Sequence, residues 1–151
     1  MKKILLMVIA FMCMFPFVGQ AQLNVTNKVA KSIKVCQSNT LMGSAELYQS
    51  NETYYIYMKS TNQFDDVQLM YIGDSKSSAI QTLQDLESLF KETPKGELIY
   101  INDHRKQKIS LYKSQKKQFM VSFEYQAGNR CLSLDNVKAF IDALLFYNTQ
   151  G

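Results

Sequence analysis

Between Ala45 and Leu145 the apolar residues change period twice, from every second residue to about every 3.6, and this alternation limits the possible folds more than any other feature. In the first pass Glu46-Leu47-Tyr48 opens a strand and Ser50-Asn51-Glu52 is turn chemistry. Tyr54, Ile56 and Met58 alternate along a second strand that ends at Lys59-Ser60. Thr61-Asn62-Gln63 then turns the chain into a third strand, with Val67, Leu69 and Tyr71 on one face. Gly73-Asp74-Ser75 ends that strand and caps a helix whose stripe is Ala79, Ile80, Leu83, Leu86, Leu89 and Phe90. Pro94 and Gly96 stop it.

The second pass repeats the order. Glu97-Leu98-Ile99 opens a strand, and Asn102-Asp103-His104-Arg105 forms a turn. Ile109 and Leu111 alternate up to Lys113-Ser114, and Phe119, Val121, Phe123 and Tyr125 alternate on a third strand. Gly128-Asn129 breaks it, Ser133 caps, and Val137, Phe140, Ile141, Leu144 and Leu145 make a helical stripe. Lys59-Ser60 matches Lys113-Ser114, Gln63-Phe64 matches Gln118-Phe119, and Gly73-Asp74 matches Gly128-Asn129. The halves 45–94 and 96–148 therefore read as two tandem βββα units. Upstream, Val25, Val29, Ile33 and Cys36 share a helical face after Thr26, so 23–42 reads as a short N-terminal helix. Ile33 and Val35 also allow a strand there. The predicted class is α+β, an antiparallel sheet with helices packed on one face.

The chain begins Met1-Lys2-Lys3, runs apolar from Ile4 to Val18, and reaches Gly19-Gln20-Ala21. A basic start, a short apolar run and a small-x-small ending describe a cleavable secretory signal, residues 1–21. A membrane-crossing helix needs about 20 apolar residues, more than this run supplies. Cys13 lies in mid-run after Phe11-Met12, not where a lipid-modified cysteine belongs. The expected product is one α+β domain, residues 22–151, in a periplasm or outside the cell and without membrane insertion. Loss of Lys2 and Lys3 takes two from the formal charge of +4, too little left to name nucleic acid as a partner. Cys36 and Cys131 remain, and in an exported chain an even count reads as one disulfide.

Chemistry-bearing patterns are few. His104, the single histidine, suggests a general base oriented by Asp103, the basis of a small envelope hydrolase. Adjacent turn residues rarely converge on one substrate, however, and a solvated hairpin tip is the simpler explanation. Asp65-Asp66 point to opposite faces if on a strand and read as a polar turn. One histidine and two distant cysteines leave no zinc set, and no nucleotide fingerprint occurs, so no metal or cofactor is expected.

Two surface features remain. The hairpin 104–117 carries Arg105, Lys106, Lys108, Lys113, Lys116 and Lys117, with Lys108 and Tyr112 sharing one face. It suits an acidic glycan or nucleic acid, or simply a solvated edge. In the other feature Tyr54, Tyr55 and Tyr57 crowd one strand. If Tyr54 packs inward with Ile56, then Tyr55 and Tyr57 look outward beside Tyr48. Such a patch suits a peptide, glycan or protein of the envelope, unless the N-terminal segment covers that face. The sequence thus points to an exported, non-enzymatic binding or accessory module acting through its sheet surface, with Tyr48, Tyr55, Tyr57, Lys108 and Tyr112 as candidate contacts.

Overall fold

A computed structural model describes residues 32–40 and 43–146. The signal reading at 1–21 lies outside them. Two antiparallel four-stranded meanders alternate with two helices, which is an α+β architecture. The first sheet holds β1 (Ser32–Thr40), β2 (Gly43–Ser50), β3 (Thr53–Ser60) and β4 (Gln68–Gly73), followed by α1 (Lys76–Glu92). The second holds β5 (Leu98–Asn102), β6 (Lys108–Gln115), β7 (Gln118–Phe123) and β8 (Arg130–Ser133), followed by α2 (Leu134–Phe146). In both sheets the strands lie side by side in chain order.

Three expectations need correction. The described part of 23–42 is a strand, β1, held by antiparallel pairing with β2 from Ser32 to Thr40 with one interruption. A bulge between Lys34 and Cys36 leaves Val35 unpaired and lets Val35 and Cys36 both pack against the core, which breaks the alternation expected of a strand. The repeating unit is ββββα, since β8 adds a fourth strand to the second half as β1 does to the first. Strand order thereby sets β1 against β5, so the 45–94 and 96–148 landmarks are displaced by one strand. Finally, the strands form two sheets, not a single layer.

Both helices behave as their stripes dictate. Ser75 caps α1 in a capping box with Ser78, and Ala79, Leu83, Leu86 and Phe90 are buried. A Cβ on Gly73 would sit 2.5 Å from Ala79 N, so only glycine lets β4 run this close to the start of α1. Ser133 caps α2 by accepting from Asn136 N, and Val137, Phe140, Ile141 and Leu144 are buried. α1 packs on β3 and β4 and against α2, while α2 reaches β1 and β8. One apolar core spans both sheets and both helices, from Leu47 and Ile56 to Leu111 and Phe119.

Polar joints tie the halves together. The Gln68 amide donates to the carbonyls of Ala127 and Gly128. Arg130, 1% exposed, reaches the Asp66 carbonyl and stands 3.8 Å from the Asp65 carboxylate, which is the use the fold makes of the Asp65-Asp66 turn. The Asn136 amide donates to Ser38 Oγ and the Asn39 carbonyl. The expected disulfide is not formed: Cys36 Sγ turns to the Gln37 carbonyl on β1, whereas Cys131 Sγ accepts from the Gln118 amide on the other sheet.

Candidate functional site

Along a strand, alternate residues share a face, and in the first sheet the two faces are apolar and aromatic respectively. Ala45, Leu47, Tyr54, Ile56, Met58, Met70 and Ile72 enter the core. The opposite face carries Glu46 and Tyr48 on β2, Tyr55 and Tyr57 on β3, and Leu69 and Tyr71 on β4. Register aligns them in rows, Lys34–Tyr48–Tyr55–Tyr71 and Glu46–Tyr57–Leu69.

The rings interlock. Tyr48 stacks on Tyr55 with centroids 5.9 Å apart, and Tyr57 meets Tyr48 and Tyr55 edge-on at 4.8 and 5.1 Å. These are the offset and T-shaped arrangements that the ring quadrupoles favour. Tyr55 is the floor of the patch, 6% exposed, with its hydroxyl donating to Ser32 Oγ. Tyr48, Tyr57 and Tyr71 are half-buried around it.

A carboxylate anchors one side. Glu46, 3% exposed, accepts from Lys59 Nζ at 3.0 Å and from the Tyr48 hydroxyl at 2.9 Å, and Lys34 Nζ lies 3.3 Å away. Burial pushes its pKa up, but the bonds from Lys59, Tyr48 and Lys34 outweigh it and leave the group below the ordinary carboxylate range. Tyr48 and Tyr57 are held above the usual tyrosine value, first by burial, then by Glu46 and Tyr55 respectively.

The other side is supplied by the second half of the chain. In the β5–β6 turn the Asp103 carboxylate is buried and accepts from the backbone N–H of Tyr71, Arg105 and Gln107. The His104 N–H donates to the Tyr71 carbonyl. This clamps the turn onto β4 and lays the Arg105 guanidinium 3.9 Å over the Tyr71 ring, a cation–π contact. Tyr55, Tyr57, Tyr71, Leu69, Thr53 and Arg105 then line a depression of about 280 Å³.

The pairing expected between His104 and Asp103 is not made, because Asp103 is committed to three backbone donors. His104 Nε2 instead lies 2.6 Å from Asp74 Oδ2, at the entry to α1. That contact, with a weaker bond from Thr53 Oγ1, holds Asp74 below the ordinary aspartate value. The Thr53 hydroxyl beside this pair donates to Asp74 and not to the imidazole.

Of the five candidate contacts, the structure brings together Tyr48, Tyr55 and Tyr57. Lys108 and Tyr112 belong to the second sheet, where Lys108 pairs with Glu124 at 3.2 Å and Tyr112 lies opposite Leu98. The basic hairpin 104–117 is likewise divided. Arg105 covers Tyr71, Lys108 is paired, and Lys113 is buried. Sequence reading missed Glu46 and the outward role of Tyr71, and gave Arg105 only as one charge of the basic hairpin. Only Tyr71 left a usable signal, since its strand carries apolar residues on both faces. Among the described residues no cluster of His, Cys, Asp and Glu is arranged to hold a metal ion, and no helix is long and apolar enough to cross a membrane. Comparison of the chain with family models, with curated proteins and with solved structures finds no match.

Proposed function

We propose that the protein is an exported binding module that engages its partner, a peptide segment, protein or glycan of the envelope, through the outer face of the first sheet. The observation that carries this reading is the convergence of Tyr48, Tyr55, Tyr57 and Tyr71 from three adjacent strands, flanked by Arg105 from the other half of the chain. Tyrosine and arginine are the residues that dominate binding energy at protein surfaces. Each offers a large contact area with a polar tip, and interlocked rings lose little freedom when a partner docks. The buried Glu46 supports the same reading. A sheet face needed only for solubility has no use for a desolvated carboxylate bound by two lysines and a tyrosine, whereas a face that must keep its shape does.

The test is capture from an envelope extract with the immobilised protein at low and high salt. The wild type should retain a discrete partner at both. The pair Tyr57→Ser with Tyr71→Ser should lose it while keeping its circular dichroism spectrum, and Tyr100→Ser with Tyr112→Ser should behave as wild type. Equal capture by all three proteins would rule this face out.

A further inference from the structure

At the far end of the β6–β7 hairpin from the tyrosine face, Lys113, Lys116 and Lys117 meet the last turn of α1 and its following loop, which carry Lys91 and Lys95. The five lysines line a cavity of about 410 Å³, walled by Phe90 and Leu134. That volume falls within the range of about 300–1,000 Å³ typical of small-ligand sites. Lys113 is the interior member. It is 2% exposed, its ammonium donates to the Phe90 carbonyl at 2.5 Å, and it lies 4.8 and 4.6 Å from the centroids of Phe90 and Phe119.

The charges around this cavity do not balance. Lys91 pairs with Glu87 at 3.0 Å, and Lys117 stands 3.8 Å from Asp135. Among the described residues no carboxylate is within ion-pair distance of Lys95, Lys113 or Lys116. The negative end of α1 offsets part of the excess, but Lys113 already occupies its Phe90 carbonyl. A buried ammonium without a counter-charge is costly, and burial accordingly pushes Lys113 below the usual lysine value. An anion in the cavity would relieve that cost.

We propose that this cavity binds a multivalent tetrahedral oxyanion, a phosphate or sulfate group carried on a compact organic body. Multivalency follows from the number of uncompensated ammonium groups, since a single carboxylate would leave most of them unanswered. The tetrahedral class suits the residue type. Every cation lining the cavity is a lysine, a point charge that meets an oxyanion from any direction, and a tetrahedral group presents its several oxygens to several such charges at once. Phe90, Leu134 and the lysine stems offer apolar contact to the body that bears the charge. The site lies apart from the tyrosine face and does not depend on its role.

Calorimetric titration of the full chain at constant ionic strength tests this, with inorganic tripolyphosphate in one arm and a persulfated disaccharide in the other. Saturable binding of one anion per chain is expected in at least one arm, and the responding arm identifies the group. Lys95→Gln with Lys116→Gln, both exposed, should weaken binding about tenfold or more, as loss of charge-assisted hydrogen bonds implies. Lys106→Gln with Lys108→Gln should change it less than about twofold, because those side chains lie elsewhere. Lys113→Met should weaken it further, and if that variant does not fold, the exposed pair decides. No saturation with either probe, or equal weakening by the two exposed pairs, would overturn the proposal.

Discussion

The two halves share a topology, four antiparallel strands followed by a helix, yet they treat their outer sheet faces differently. On the first sheet tyrosines from three strands lock together beside a buried glutamate. On the second the same positions hold Ser110, Ser122, the exposed pair Lys108–Glu124, and Tyr100, which is 75% exposed. The inner faces are alike because one core must be filled from both sides, and close packing leaves little choice there. Outer faces are under no such demand. An ordered aromatic face on one half and a solvated one on the other is the contrast on which the proposed binding role rests.

The comparison can be broken at its base. Leu47→Ala in the first sheet and Leu111→Ala in the second should each cost about 2–5 kcal/mol in urea unfolding, with one cooperative transition, if both halves build the same core. A loss below about 1 kcal/mol for either would separate the halves. Next in size is the contrast between carboxylates. Glu46→Ala should cost about 1–3 kcal/mol through loss of the charge-assisted hydrogen bonds that the buried carboxylate accepts from Lys59 and Tyr48, whereas Glu124→Ala, facing an exposed Lys108, should cost under about 0.5 kcal/mol. Similar values would mean that the first face is no more built than the second.

A double-mutant cycle on Tyr48 and Tyr57 should show a coupling of about 0.5–1.5 kcal/mol, the range of edge-to-face aromatic pairs. The same cycle on Tyr100 and Tyr112 should show about none, since among the described residues no ring contact joins those two side chains as one joins Tyr48 and Tyr57. The smallest effect concerns pH. Glu46 and Asp74 both titrate below the ordinary carboxylate range in the folded chain. Their contribution is present at neutral pH and lost as pH falls through the lowered folded values, because the unfolded chain then binds protons more readily. Melting temperature should therefore drop on acidification below about pH 4, and the drop should be shallower in Glu46→Gln. An identical profile would show that Glu46 is not the group holding the face.

Much of this was legible from residue order. The helical stripes name the residues that are buried, Ala79, Leu83, Leu86 and Phe90 on α1 and Val137, Phe140, Ile141 and Leu144 on α2, because a 3.6-residue period has one apolar side. Leu145 is the exception, expected in the stripe but exposed at the end of the described chain. Strands are less forthcoming. On β4 both Met70-Ile72 and Leu69-Tyr71 are large and apolar, so alternation does not reveal which side is the core. β8 has four residues and opens on an arginine, too short and too polar to announce itself. β1 is an edge strand, half exposed and bulged at Val35, and its residues fit a helical wheel equally well.

The sequence by itself determined the α+β class, the two helices with their caps, and the tyrosines of one strand facing opposite ways. These follow from local period and local capping, which act within a few residues. Only the tertiary structure decided that β1 pairs with β2, that Arg105 crosses to Tyr71, that Glu46 is buried, and that Lys113 leaves the surface to meet Lys91 and Lys95 around one cavity. Each of these depends on which segments share a partner across the fold. Burial and charge are then set by neighbours distant in sequence, and no local pattern encodes them.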